Sequence, residues 1–359
     1  MTLAKYSLIV LGLAFIGCAP KIIEVKPDNE QIDYVGRINF DNASEPVIYW
    51  SGSAITVQFK GSDIAATLND EHGLNYFNVV LDQDSVYPLK LNQGIQKYNL
   101  AKGLAPEKIH TISLVKRNEW ITGQTGFLGF TIAGKLKSLP EKSGRLMEFY
   151  GNSITAGYAI ENLTGGDNAD STYTNNYVTY AALTARHFNA DVHCIVRSGI
   201  GINVSWERPI MPEIWDRLNP VDSTSKWDFS RATPDIVVVN LMQNDKWIVT
   251  RPDYGEYKYR FGDITPDKDY IVNAYAHFVK GIRDQYPEAS IICALGSMDA
   301  TQEGSEWPGY VKEAVALLDD ANIYTHFFPF IEKGGHPRVE DNKKMAKSLI
   351  QFIDENIEW

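Results

Sequence analysis

The chain has 359 residues, 44% of them apolar and 22% charged, enough for two domains or one large one. That balance excludes a disordered chain and a multi-span membrane protein. The formal net charge of −11 argues against nucleic acid as a partner, since a phosphate backbone calls for a basic surface.

The first residues differ from the rest. Lys5 precedes an apolar run from Leu8 to Ile16, which ends in Gly17-Cys18. The run is short for a bilayer span and has the charged start and apolar middle of a signal peptide. Phe15-Ile16-Gly17-Cys18 resembles a bacterial lipobox, with Phe15 where Leu or Val is usual. The resemblance implies that residues 1–18 are a lipoprotein signal, that Cys18 carries lipid, and that the chain is exported and anchored to a membrane through that lipid alone. The alternative is an ordinary secretory signal with an incidental cysteine. Cys194 and Cys293 lie in apolar runs and read as buried free thiols. No cysteine or histidine spacing suggests a metal site, and no cofactor is expected.

Residues 19–29 are polar and read as a tether. From residue 30 to 137 the pattern has period two: Ile55, Val57 and Phe59 alternate with Thr56, Gln58 and Lys60, and Leu128, Phe130 and Ile132 alternate with Gly129, Thr131 and Ala133. Short alternating runs between Gly, Asn and Asp clusters predict an antiparallel β-sandwich. Lys137–Gly144 reads as a linker. Beyond it, over 145–359, continuous apolar runs at Leu146–Tyr150, Val192–Val196, Ile236–Leu241, Ile291–Leu295 and Ile323–Phe328 predict buried parallel strands. Tyr177, Tyr180, Ala181, Thr184 and Phe188 share one helical face, as do Met345, Leu349, Phe352 and Ile353. The second domain is therefore expected to be a three-layer α/β/α structure, with its site at the carboxyl ends of the strands.

Those ends hold reactive residues. The first strand runs into Gly151-Asn152-Ser153, where a tight turn presents a hydroxyl beside backbone N–H groups. The second runs into Arg197-Ser198-Gly199, where glycine permits close approach of a backbone N–H, or makes a plain turn. The third ends in Met242-Gln243-Asn244-Asp245, whose Asn244 amide can donate to an oxyanion or cap a helix. Lys333-Gly334-Gly335-His336-Pro337 places a histidine on a loop before the last helix, where it can serve as the base that a serine nucleophile needs.

In this order the four pieces resemble the SGNH (GDSL-like) hydrolases, through Gly151/Ser153, Gly199, Asn244-Asp245 and His336. A β-sandwich ahead of such a domain, with a Gly-His-Pro ending, resembles carbohydrate esterase family two. The resemblance implies a jelly-roll domain followed by the SGNH domain, and O-deacetylation of a polysaccharide or oligosaccharide such as xylan or glucomannan. It also implies Ser153 as nucleophile, His336 as base, and an oxyanion held by the N–H groups of Ser153 and Gly199 with the Asn244 amide. Three positions depart from the family pattern. Asn152 replaces an aspartate, and Met242 replaces a glycine with a side chain able to reshape the acyl pocket. Lys333 stands where the aspartate of a triad belongs, so a Ser–His dyad is expected, with Glu332 as an alternative partner. Trp247, Trp206 and Tyr158 are candidate sugar platforms or core residues, and Lys246–Asp269 is a candidate lid or cleft wall. Competing readings are an acyltransferase, an esterase for another acylated glycan, and a non-catalytic surface glycan-binding lipoprotein.

Overall fold

The computed structural model describes residues 21–332 and 334–359. The signal segment, Cys18 and Lys333 lie outside them. No helix of the described residues is long and apolar enough to cross a membrane.

The first domain is all-β and antiparallel. Its strands are β1 (Ile22–Val25), β2 (Ile32–Val35), β3 (Ile38–Asn39), β4 (Val47–Ile48), β5 (Ala54–Asp70), β6 (Tyr76–Leu81), β7 (Ser85–Lys90), β8 (Gly94–Ala101), β9 (Ile109–Lys116) and β10 (Thr125–Lys137). The alternation seen in the sequence sends Ile55, Val57 and Phe59 into the core with Ile112, Leu114, Phe130 and Ile132. The long strand β5 changes neighbours along its length. Residues 54–60 pair with β9, and residues 64–69 with β8, while β10 follows it on the other side. The register between β5 and β10 shifts beside Gly61 and Gly134, where the two backbones close together. A Cβ at Gly61 would stand 2.3 Å from the Ala133 carbonyl oxygen, and one at Gly134 would stand 2.2 Å from that of Lys60. Only glycine fits this crossing.

The expected tether begins as part of this domain. Ile22–Val25 forms β1 and pairs with Phe130–Ala133 of β10, with Val25 buried. Three of its four residues are β-branched and apolar, but a run of four is too short to show a period, and polar residues follow it.

The second domain is built on β11 (Leu146–Gly151), β12 (Asp191–Val196), β13 (Ile236–Asn240), β14 (Ser290–Leu295) and β15 (Ile323–Phe327), all parallel, in the order β12-β11-β13-β14-β15. Helices α1 (Ser153–Ala156), α2 (Tyr180–His187), α3 (Gln243–Ile248), α4 (Gly255–Phe261), α5 (Lys268–Gln285), α6 (Trp307–Leu318) and α7 (Val339–Asn356) connect and cover them. Strand residues alternate between two cores. Val237, Val239, Ile291 and Cys293 pack with α5 and α6, whereas Ile236, Val238, Ile292 and Ala294 pack with α2 and α7. Both faces are covered, which is why these strands are apolar throughout. Cys194 and Cys293 are buried free thiols, both pushed up to about 12 by burial. The chain leaves β11 toward β12 on one side and returns to β13 on the other, so β11 is the switch point where a crevice opens above the strand ends.

The domains share a core. Tyr49 and Trp50 of the first domain pack with Tyr150 and the α5–α6 face of the second, and the Trp50 indole donates to the Leu218 carbonyl at 2.9 Å. Buried Lys116, at the end of β9, donates to the Gly123 carbonyl at 2.8 Å and so closes the turn Trp120–Thr122 that faces the second domain. Burial pulls this lysine down to about 7, against the attraction of Asp70 and Glu71. An unfolded lysine keeps its proton to about pH 10.4. Between the two values the unfolded chain binds more protons, so this group makes stability rise with pH. The stability of the parent minus that of Lys116→Met is expected to rise by about 2 kcal/mol between pH 7 and 9, read by chemical denaturation of both proteins at each pH. A signed difference that stays flat or falls would refute this account.

Candidate active site

Ser153 opens α1 directly after β11, and it is 6% exposed at the floor of a cleft. Asn152 caps this helix, its side-chain oxygen accepting from the Ile154 N–H at 3.0 Å. A cap needs one acceptor oxygen, which an amide supplies as well as a carboxylate. The change from aspartate is therefore absorbed locally.

His336 Nε2 lies 2.7 Å from Ser153 Oγ. The expected dyad is not what forms, because the histidine has a carboxylate partner. Asp167 Oδ2 is 2.6 Å from His336 Nδ1, and Asp167 Oδ1 accepts from the His336 backbone N–H at 3.0 Å. Glu332 is exposed and is not bonded to the imidazole. Asp167 comes from the loop after α1, separated from His336 by 169 positions, so nothing local joins them. The length of that polar, glycine-bearing connection was the available signal, since long loops in compact domains tend to be functional. Hydrogen bonds from His336 hold the Asp167 carboxyl well below the usual range, against partial burial, with help from Arg338. Both Arg338 guanidinium NH groups stand 3.2 Å from Asp167 Oδ1. A carboxylate kept ionised beside Nδ1 fixes the tautomer that leaves Nε2 free to accept the serine proton.

The remaining predicted residues gather on the same cleft. Its volume is about 340 Å³, and Ser153, Tyr158, Asp167, Gly199, Trp206, Asn244, Trp247 and His336 all line it. Gly199 adopts φ 78°, and its N–H has no hydrogen-bond partner among the described residues. The Asn244 amide is oriented by its neighbours. Its oxygen accepts from the Trp206 indole at 3.1 Å, and one Nδ2 hydrogen goes to the Ile200 carbonyl at 2.8 Å. An indole can only donate, so the amide nitrogen must lie on the other side, and its second hydrogen has no partner among the described residues. Asp245 is fully buried and gathers the N–H groups of Ile202 (3.0 Å), Asn203 (2.6 Å) and Val204 (3.3 Å), which shapes the loop after β12.

Trp206 therefore both walls the cleft and holds Asn244. Trp247 is steered by Asp299, to which its indole donates at 2.9 Å. Tyr158 packs its ring 4.8 Å from the His336 ring. Of residues 246–269, the candidate lid or cleft wall, only Trp247 lines the cleft, and the rest backs it: Tyr257 and Phe261 of α4 pack with Val204 and Ile248, Tyr254 donates to the Trp206 carbonyl, and Arg251 lies over the Trp206 ring. Met242 does not line the cleft. It is buried in the core beneath, at φ 77°, a conformation that explains why glycine is usual there.

A serine on a strand-end turn, a histidine–carboxylate pair and converging free donors above a parallel sheet define a serine hydrolase of the SGNH class. Residues 34–141 match the carbohydrate esterase 2 N-terminal family, and residues 149–344 match the GDSL-like lipase/acylhydrolase family. The chain belongs to the latter family and, within it, to the family two carbohydrate esterases. It is similar to the solved structure of a family two carbohydrate esterase from Clostridium thermocellum in complex with cellohexaose, with TM-score 0.80 and 31% identity, over 90% of this chain and 98% of that one. The cellulase/esterase CelE of Acetivibrio thermocellus is 32% identical over 92% of this chain, which spans 40% of that longer protein. An acetylxylan esterase/glucomannan deacetylase of Cellvibrio japonicus is 21% identical over 93% of this chain and 91% of its own length.

If Asp167 orients and polarises His336, Asp167→Asn will lower kcat on an aryl acetate by about 10²- to 10⁴-fold, with Glu332→Ala unchanged. Equal, small effects in the two variants would return the imidazole to a dyad.

Proposed function

We propose that the protein is an exported esterase that removes O-acetyl groups from a carbohydrate such as acetylated xylan or glucomannan through an acyl-enzyme. The observation that carries this reading is the Ser153–His336–Asp167 relay at the floor of a cleft walled by Trp206, Trp247 and Tyr158. The kinship with named acetylxylan esterases supports the substrate class, and the Lys5, Leu8–Ile16 and Cys18 pattern supports export with a lipid anchor.

In the proposed reaction His336 Nε2 takes the proton of Ser153 as Oγ attacks the acetyl carbonyl carbon. Asp167 stabilises the resulting imidazolium. The negative oxygen of the tetrahedral intermediate is held by the N–H groups of Ser153 and Gly199 and the spare Asn244 N–H, each such donor contributing about 3 kcal/mol at the transition state. Collapse expels the sugar oxygen, which takes the proton back from His336, and leaves acetyl on Ser153. Water, deprotonated by the same histidine, then attacks the ester and releases acetate. The aromatic walls offer faces on which a sugar ring stacks while its acetyl group points at Ser153.

The missing aspartate and Met242 favour the non-catalytic alternative; Asp167 beside His336 and the burial of Met242 in the core away from the cleft support catalysis instead. The test is acetate release from acetylated xylan, acetylated glucomannan and an aryl acetate by the full chain and its Ser153→Ala variant. Release by the parent at least about 10³-fold above the variant is expected, with the polysaccharides preferred. No difference between the two proteins on any substrate would overturn the esterase reading.

A further inference from the structure

The segment between β9 and β10 belongs to the sandwich by sequence but works against the loops of the second domain. Arg117 bonds the carboxylate of Glu161 and the Thr172 carbonyl, the latter at 3.0 Å, and Asn118 donates to the Ser171 carbonyl at 2.7 Å. These contacts grip the two ends of the loop that carries Asp167. The next residue, Glu119, reaches the other side of the cleft. Its side chain is buried, with one oxygen accepting from the Ser198 N–H and the other paired with the Ser198 hydroxyl.

Burying a carboxylate is costly unless its oxygens are satisfied. Burial does push the Glu119 carboxyl up, and the bonds from Ser198, with the nearby Arg197 and His336, oppose that rise. Both side-chain contacts fall on Ser198, the residue before the left-handed Gly199. The carbonyl of Gly199 is in turn fixed by the Trp206 N–H at 2.9 Å. Ser198 N on one side and Gly199 O on the other are thus anchored, and the Ser198–Gly199 peptide lies between two pinned points. That peptide carries the unpartnered Gly199 N–H.

We propose that Glu119 is a positioning residue supplied by the first domain, which aims the Gly199 N–H at the acyl oxygen; this rests on the esterase reading above. The sandwich is then a working part of the active site, and its loss disables chemistry rather than sugar binding alone. A donor misplaced by an ångström forfeits much of its effect on the transition state while leaving ground-state binding nearly intact.

The test compares kcat and KM of the full chain with Glu119→Gln, Glu119→Asp and Glu119→Ala on an aryl acetate and acetylated xylan. Glutamine keeps the reach, with an oxygen for the Ser198 N–H and an NH2 for the hydroxyl oxygen. Aspartate keeps the charge and loses the reach. The expected order in kcat is parent, Gln within about threefold, Asp about tenfold lower and Ala about 10²-fold lower, with KM within about twofold throughout. A merely structural role would lower Tm and active fraction without this order. Asp outperforming Gln would show that charge matters rather than reach, and all kcat values within threefold of the parent would equally overturn the inference. Should the Ala variant fail to fold, the Gln–Asp comparison decides. Parent activity that is abolished by Ser153→Ala but untouched at Glu119 overturns this inference alone; no activity in the parent overturns both.

Discussion

Arg37 leaves the sandwich and ends between Glu148 and Tyr150 on β11, the strand whose carboxyl end presents Ser153. Its guanidinium is 3.1 Å from Glu148 Oε1 and 3.0 Å from the Tyr150 hydroxyl, and it also donates to the Trp215 carbonyl at 2.5 Å. Both ionic side chains are essentially without solvent access. Burial alone would push the Glu148 carboxyl up, but Arg37 and His193 outweigh it and hold it at about 2. Such a pair contributes little against a well-packed apolar substitute, yet removing one partner leaves a bare buried charge at a cost of about 3–5 kcal/mol. The pair therefore acts as a register pin. Trp227 and Phe229 flank the guanidinium with their rings, and the pair leaves the sandwich one seating on β11. The contacts that Arg117, Asn118 and Glu119 make with the catalytic loops cross the same interface.

Much of this arrangement is visible in the sequence where burial and period coincide. The parallel strands are covered on both faces, so they appear as uninterrupted apolar runs, and the residues that follow them are the ones that reach the crevice. Ser153, Gly199 and Asn244 could be found that way because a strand end is a local event. His336 stood out through its glycine-flanked loop. Asp167 and Glu119 could not be found by the same means. Each acts on a residue far along the chain, 169 positions away for Asp167 and His336 and 79 for Glu119 and Ser198; the folding of the second domain brings the first pair together, and the seating of the two domains the second. The edge strand β1 escaped for a different reason, since its apolar run is only four residues long and shows its role only through its pairing with β10.

The departures from the family pattern sort by what the usual residue does. At Asn152 the task is to accept one backbone N–H, and an amide does so. At Met242 the task is to occupy a left-handed conformation, which costs a side-chain-bearing residue about 1–2 kcal/mol. Here the side chain is buried among apolar residues, a gain of comparable size, so the position is tolerated without reaching the cleft. At Lys333 the lost task is to hold the imidazole, and no local substitute restores it. The carboxylate comes from another loop.

That relocation changes what the relay depends on. An aspartate three residues before the histidine shares its loop and moves with it. Asp167 and His336 instead meet as a clasp between two glycine-bearing loops, Gly165-Gly166-Asp167 and Gly334-Gly335-His336, and Arg338 closes the clasp from the histidine side. Arg338 draws on the same carboxylate as the imidazole, through Oδ1, while Nδ1 takes Oδ2. The arginine therefore holds the loop in place at the expense of some of the negative charge felt by the histidine. At its base the Asp167 loop is gripped by Arg117 and Asn118 of the sandwich. The carboxylate of the relay, like the oxyanion loop opposite, is thus held in register by a domain that contributes no reacting atom, which gives a physical reason for the sandwich and the hydrolase to share one core.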